Sequence, residues 1–328
     1  MRDDRGFFGA LTGDGRPLVA VTGLGLVAAG LFAVFLSVTL EFLPHDLRFL
    51  GMAPRELCAI NDCRLVHFMF HNRVSLGGAV MAVGIMYLWL ARFPLRDGEA
   101  WSWWLLLGSG VLGFGSFFTY LGHGYVDAWH GLATLALLPC FVIGLARTFA
   151  LLPRPAAARS LLRAGTEVPW TSSFGIGRAC LLAASFGLIV AGATITAIGM
   201  TWVFVPQDLA FLGLSADELR AINPRLVALM SHDRAGFGAW VCTSGLVMFF
   251  CVWCGMASRA LWQALCLSGT AGFATAVGVH PLIGYLDFIH LAPAAGGAAV
   301  FALGLALTYK PMANTGTIAV GKSLAPTT

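Results

Sequence analysis

The sequence predicts an all-α integral membrane protein. We expect eight transmembrane helices, arranged as two tandem, parallel four-helix repeats that each carry an outer interfacial helix. Charged residues make up only 11% of the chain and the mean hydropathy is +0.80, whereas soluble domains carry about 25% charged residues. Segment 44–61 recurs at 206–223, with 11 of 18 positions identical at a shift of 162. An internal repeat of this kind indicates the architecture directly.

The predicted spans each approach the roughly 20 residues that are needed to cross about 30 Å of hydrocarbon. The first repeat contributes 18–40, 74–90, 103–121 and 129–145, and the second contributes 179–205, 236–256, 261–282 and 288–309. The first span is too long for a signal peptide and lacks a small-residue cleavage site, so we interpret it as an anchor. Four spans per repeat is an even number, so both repeats enter the membrane from the same side and are parallel.

The repeats divide the chain into residues 1–150, a cytoplasmic linker at 151–177, a second repeat at 178–310 and a cytoplasmic tail at 311–328. Of the 20 Lys and Arg residues, 13 lie on the side of the N-terminus and 7 on the other side. The positive-inside rule then places both termini in the cytoplasm and the repeated segments outside a cell (inner) membrane. The lipid bilayer is the expected partner, and a net charge of +4 is too small to indicate nucleic acid.

The repeated segments have the start and stop signals of short helices. Ser215 and Glu218 have the spacing of a capping box, and Pro54 suits a first helical turn. Asn61 and Asn223 then break the chain before the next membrane span. We therefore expect one interfacial helix over each repeat.

Ionisable residues gather at the outer ends of the spans. The first repeat has His71, Arg73, Tyr125, Asp127 and His130, and the second has His232, Arg234, Tyr285, Asp287 and His290. Such groups usually pair or line a cavity, because they are costly next to lipid. One interpretation is structural, with Arg73–Asp127 and Arg234–Asp287 ion pairs. The other is functional: His and Asp bind a metal or act as acid and base, or two His bind a haem.

The first repeat has further histidines, whose counterparts in the second repeat are not histidine. His67 lies four residues before His71, on the same helical face. The predicted site for a divalent metal is His67, His71, His123, Asp127 and His130, and the histidines of this set are the candidate cofactor ligands. If only one repeat is active, we expect it to be the first. His280, which has no counterpart, could join His232 and His290 or could cap the helix before Pro281, and we favour the cap.

Cys58 and Cys63 also belong to the first repeat alone. On the outer side of a membrane a disulfide between them would persist. Five residues apart on a continuous helix, their Cα atoms would lie beyond disulfide range, but a break at Asn61 would bring them closer. A disulfide and two free thiols both remain open.

These residues favour a metal- or haem-dependent membrane enzyme or redox protein. A small-solute or ion transporter is an alternative, because tandem repeats are common in transporters. A structural or assembly subunit that docks a membrane partner through its outer loops is another. Arg73 and Arg234 are also suited to hold anionic lipid headgroups.

Overall fold

The computed structural model describes residues 9, 12–116, 124–125, 128–153 and 156–313. All regular structure in this part of the chain is helical. Seven of the helices are long and apolar enough to cross a membrane. The chain is thus an all-α, multi-pass membrane protein.

Within its described residues, the first half contains six α-helices: α1 (Arg16–Val38), α2 (Pro44–Leu50), α3 (Pro54–Cys58), α4 (Arg64–Arg92), α5 (Ala100–Gly115) and α6 (Ala128–Thr148). A 3-10 turn at Phe149–Leu151 extends α6, and another at Ala158–Leu162 lies in the linker. Helix α5 has 16 residues, and residues 117–123, which include the end of the predicted third span, lie outside the described residues. The described candidates for spans therefore number seven, and not the predicted eight.

The second half contains α7 (Ser173–Met200), α8 (Pro206–Leu212), α9 (Ala216–Ile222), α10 (Leu226–Cys254), α11 (Arg259–Ile283) and α12 (Phe288–Ala313). Helices α4 and α10 each begin ten residues before the predicted spans at 74–90 and 236–256. Hydropathy missed these turns because they contain polar residues, including His71 and His232, which the protein buries. Helix α12 also continues three residues into the predicted tail.

Each repeated segment forms two short helices, and not the single interfacial helix that we predicted. The carboxylates of Asp46 and Asp208 accept hydrogen bonds from the backbone N–H groups before α2 and α8, at 3.2 and 2.8 Å. Gly51 and Gly213 end these helices with φ values of +66° and +65°, a conformation that glycine adopts readily.

The predicted capping box at α9 is confirmed. Ser215 Oγ accepts a hydrogen bond from the backbone N–H of Glu218 at 3.2 Å, and the Glu218 carboxylate accepts one from the backbone N–H of Ser215 at 2.7 Å. This reciprocal pair satisfies two donors at the start of the helix. The beginning of α9 was therefore readable from sequence.

The two asparagines that follow the short helices make reciprocal bonds between the halves. Asn61 Nδ2 donates to the carbonyl of Leu212 at 3.1 Å, and Asn223 Nδ2 donates to the carbonyl of Leu50 at 2.8 Å. Each asparagine thereby satisfies the end of a short helix in the other half. The segment that contains α2 and α3 and the segment that contains α8 and α9 thus form one layer.

The turn between α3 and α4 holds a disulfide between Cys58 and Cys63. Asp62 and Cys63 have φ values of +53° and +62°, so the chain reverses sharply at this point. This is the break that the sequence indicated after Asn61. The structure thus has the disulfide, and not the free thiols, of the two alternatives.

Helices α4 and α10 form the centre of the bundle. Their apolar windows are 83% and 67% buried, against 17–28% for the other five candidate spans. Helix α4 packs against α1, α10 and α11, and α10 packs against α7, α4 and α5. Each central helix thus contacts helices of both halves, and this arrangement positions the polar side chains in its N-terminal part.

Glycines set the close approach of the central helices to their neighbours. A Cβ atom on Gly77 of α4 would lie 2.6 Å from the carbonyl oxygen of Gly30 on α1. A Cβ atom on Gly238 of α10 would lie 2.7 Å from the carbonyl oxygen of Gly192 on α7. Small residues of this kind let membrane helices pack backbone to backbone.

Candidate functional site

Three histidines converge at the end of the bundle where α2 and α8 lie. Their ligand atoms all lie within 4.8 Å of one another, and they form the one such group of metal-ligating side chains among the described residues: His71, His280 and His290. The Nε2 atoms of His71 and His280 are 3.1 Å apart. The residues come from α4, α11 and α12, so this three-histidine cluster joins both halves of the chain.

A stack of aromatic rings holds one side of the cluster. The Tyr285 ring stacks on His290 with centroids 4.3 Å apart, and Phe211 stacks on Tyr285 at 4.5 Å. Tyr285 donates its hydroxyl hydrogen to Asp208 at 2.9 Å, and Asp208 lies 3.8 Å from His290 Nδ1. Burial, followed by the Asp208 charge, raises the pKa of Tyr285 well above its usual value. Tyr285 is therefore a neutral donor that fixes the carboxylate beside His290.

A second polar network lies around Arg73. Its Nε donates to Asp233 at 2.8 Å, and its two terminal nitrogens donate to Asp46 at 2.7 and 3.2 Å. Asp233 also contacts His232 Nδ1 at 3.0 Å, and Tyr125 donates its hydroxyl hydrogen to Asp46. The guanidinium of Arg73 thus joins carboxylates from both halves.

Asp46 is ionised in this network. Burial on its own would raise the pKa of Asp46, but the charge and hydrogen bonds of Arg73, with the hydrogen bond from Tyr125, outweigh it and leave the pKa below its usual value. The carboxylate is fully buried. A buried charge of this kind is tolerated only when it is paired and hydrogen-bonded, as here.

The Arg73 network borders a cavity of about 380 Å³. One end is polar, with Arg73, His130, His232 and Asp233 in its lining. The rest is apolar and aromatic, with wall residues that include Leu26, Ala29, Phe32, Leu36, Val80, Phe114, Trp129, Ala133, Leu137 and Trp240. The cavity has the form of an amphiphile site, with an apolar body and one polar end.

One of the two predicted ion pairs is replaced by another, and the other falls on a residue outside the described ones. Arg234 pairs with Asp208, and not with Asp287, whose carboxylate accepts from the backbone N–H of His290 at 2.8 Å. Arg73 pairs with Asp46 and Asp233, whereas Asp127 lies outside the described residues. The reason is that α2 and α8 place Asp46 and Asp208 against the N-terminal parts of the central helices.

The structure divides the residues of the predicted metal site. His71 belongs to the three-histidine cluster, and His130 lines the cavity. His67 lies half-buried one turn before His71 and is outside that cluster. His123 and Asp127 lie outside the described residues. His71 and His130, the pair expected to hold a haem, thus lie in different groups.

His280 belongs to the cluster, although the sequence favoured a cap at this position. We interpreted it as a cap, yet its ring meets His71 edge to face at a centroid distance of 4.6 Å. Its position inside an apolar span was the available signal, because ionisable residues there are usually functional. Comparisons with protein-family models, with curated proteins and with solved structures gave no match.

Proposed function

We propose that the protein is a metal-dependent membrane enzyme or redox protein. The observation that carries this proposal is the convergence of His71, His280 and His290 within 4.8 Å. Three imidazole nitrogens suit Zn²⁺, copper or iron, and they leave a coordination position for water or substrate. Because the ligands come from both halves, the active site belongs to the pair of repeats, and not to the first repeat alone.

The same proposal includes the tandem repeat and eight spans. Matched contacts support the repeat: Trp103 Nε1 donates to the carbonyl of Leu145 at 2.8 Å, and Trp262 Nε1 donates to that of Leu305 at 2.9 Å. The close contact of Gly30 and Gly77 between α1 and α4 matches that of Gly192 and Gly238 between α7 and α10. Helix α5 supplies the remaining span of the proposed bundle.

We also retain the proposed orientation, with cytoplasmic termini and the cluster near the outer face of an inner membrane. The positive-inside count supports it, and so does the Cys58–Cys63 disulfide, because disulfides persist on the oxidising side.

The environment of the cluster supports a bound metal ion. His71 and His280 are buried, and their Nε2 atoms are 3.1 Å apart, which is close enough for both to bind one ion. Neutral imidazole donates electron density to a metal through one nitrogen, and Asp208 beside His290 is placed to orient that ring. Removal of one histidine would leave an incomplete ligand set.

Metal analysis of the purified full-length protein tests the proposal. We expect about one equivalent of a transition metal per chain, with a loss of at least about tenfold in affinity in His71→Ala, His280→Ala and His290→Ala. His67→Ala is the matched control, because His67 lies on α4 outside the cluster. The proposal is wrong if metal-loaded wild type holds no stoichiometric metal, or if His280→Ala binds it as well. A Soret band that depends on His130 would indicate haem instead.

A further inference from the structure

We propose that the 380 Å³ cavity binds one uncharged lipid of the quinone class, with its ring at the polar end and its tail toward the bilayer. This inference does not rest on the metal site. The two sites share no residue: the cavity is lined by α1, α4, α5, α6 and α10, whereas the metal cluster lies on α4, α11 and α12.

The first argument is the thin wall between the cavity and lipid. Helices α1 and α6 are in contact through Gly25 and Leu137, and Gly15, which precedes α1, contacts Gly144. Phe32 of α1 and Trp129 of α6 both line the cavity, and their ring centroids are 6.1 Å apart. These two side chains are 43% and 48% exposed. Rotation of these two rings would let a lipid tail pass from the cavity into hydrocarbon.

The second argument is charge. Two carboxylates, Asp46 and Asp233, already face the single guanidinium of Arg73. A further anion would raise the excess of negative charge in a water-poor site, which is costly. The head of the ligand should therefore be uncharged, which excludes fatty acids and phospholipids as the favoured occupant.

The third argument is hydrogen bonding. A guanidinium has five N–H groups, and three bonds from Arg73 to Asp46 and Asp233 account for three of them in the described structure. His232 presents its ring to the cavity while Asp233 contacts its Nδ1 atom. The N–H groups of the guanidinium suit carbonyl oxygens as acceptors. An imidazole that a carboxylate orients through Nδ1 suits a hydroxyl group, which can donate to its other nitrogen.

The fourth argument is the shape of the walls. Aromatic side chains line the cavity from three helices besides α1: Phe114 on α5, Trp129 on α6 and Trp240 on α10. Aromatic rings pack favourably against another flat ring in offset or edge-to-face geometry. A quinone combines the flat ring, the uncharged acceptor oxygens and the apolar tail that these surroundings require.

The test uses the full-length protein in nanodiscs and tritiated decylubiquinone as the probe. We expect saturable retention of about one equivalent per chain in excess of protein-free nanodiscs. Ala133→Trp should fill the cavity and weaken binding at least about tenfold. Leu135→Trp, on the exposed face of the same helix, is the matched control and should bind as wild type does.

Two results would overturn the proposal. One is equal retention by Ala133→Trp and wild type, which would mean partition into the bilayer only. The other is tight binding of oleate that displaces the quinone, which would mean a site for an anion. If Ala133→Trp does not fold, Ala133→Met and Ala133→Leu should give graded losses. The same binding measurement on chelator-treated protein separates the two proposals, because quinone binding should persist when the histidines hold no metal.

Discussion

Arg73 and Asp233 form an ion pair between residues 160 positions apart in the chain, with Nε 2.8 Å from the carboxylate oxygen. The corresponding pair in the other half would be Arg234 with Asn72, which carries no charge. Among the described residues the bundle therefore has one ion pair of this kind, and it lies beside the cavity.

Asp233→Asn should destabilise the protein by about 3 kcal/mol, because removal of one partner leaves a buried charge partly uncompensated. The remaining Asp46 contact keeps the expected loss at the low end of the usual range. Asp217→Asn is the control: its exposed pair with Arg220 contributes between about 0 and 1 kcal/mol. Thermal unfolding in detergent measures both, and equal shifts would contradict the structural role of the buried pair.

The stability of the protein should fall in acid through Asp46. The folded pKa of Asp46 lies below the unfolded value of 3.8, so its contribution is complete above that value and is lost as the pH falls through the lower folded value. Asp46→Asn should be less stable near neutral pH and should lose less stability on acidification. Unfolding curves at about pH 6 and about pH 3, with Glu56→Gln as an exposed control, check this. An unchanged acid sensitivity would exclude Asp46 as its source.

Cys58 and Cys63 should resist alkylation until the protein is reduced, since the structure joins them. Mass spectrometry before and after reduction should show two additional alkylated cysteines in the wild type and none in a Cys58→Ser/Cys63→Ser double variant. Loss of this disulfide, which closes a short loop, should lower the free energy of unfolding by roughly 2 kcal/mol. Alkylation of both thiols without reduction would contradict the disulfide and weaken the proposed orientation.

Gly77→Ala should destabilise the α1–α4 contact by about 1–3 kcal/mol, because the new methyl group would meet the backbone of Gly30. Gly108→Ala on α5 is the opposite case. Gly108 is exposed with open space around its Cα, so alanine there should stabilise the helix by up to about 1 kcal/mol. Melting temperatures of the two variants should move in opposite directions. If both melting temperatures moved in the same direction, the result would argue against the close approach of α1 and α4 at Gly77.

The residue types and spacing in the chain were sufficient for the local features. The capping box at Ser215 and the break after Asn61 both depend on neighbours within a few residues, and both are present in the structure. The early starts of α4 and α10 could not be read from hydropathy. Their first turns are polar, and only burial by the rest of the protein makes them part of the bundle.

The sequence by itself determined the class of the molecule: an all-α membrane protein, because apolar stretches of this length must satisfy their backbone within helices. The tertiary structure alone decided which ionisable residues meet. Helical periodicity places His71 on a face of α4 but does not say which helix lies opposite. Because α4 packs against α11 of the other half, His71 meets His280 and His290, while His130 lines the cavity.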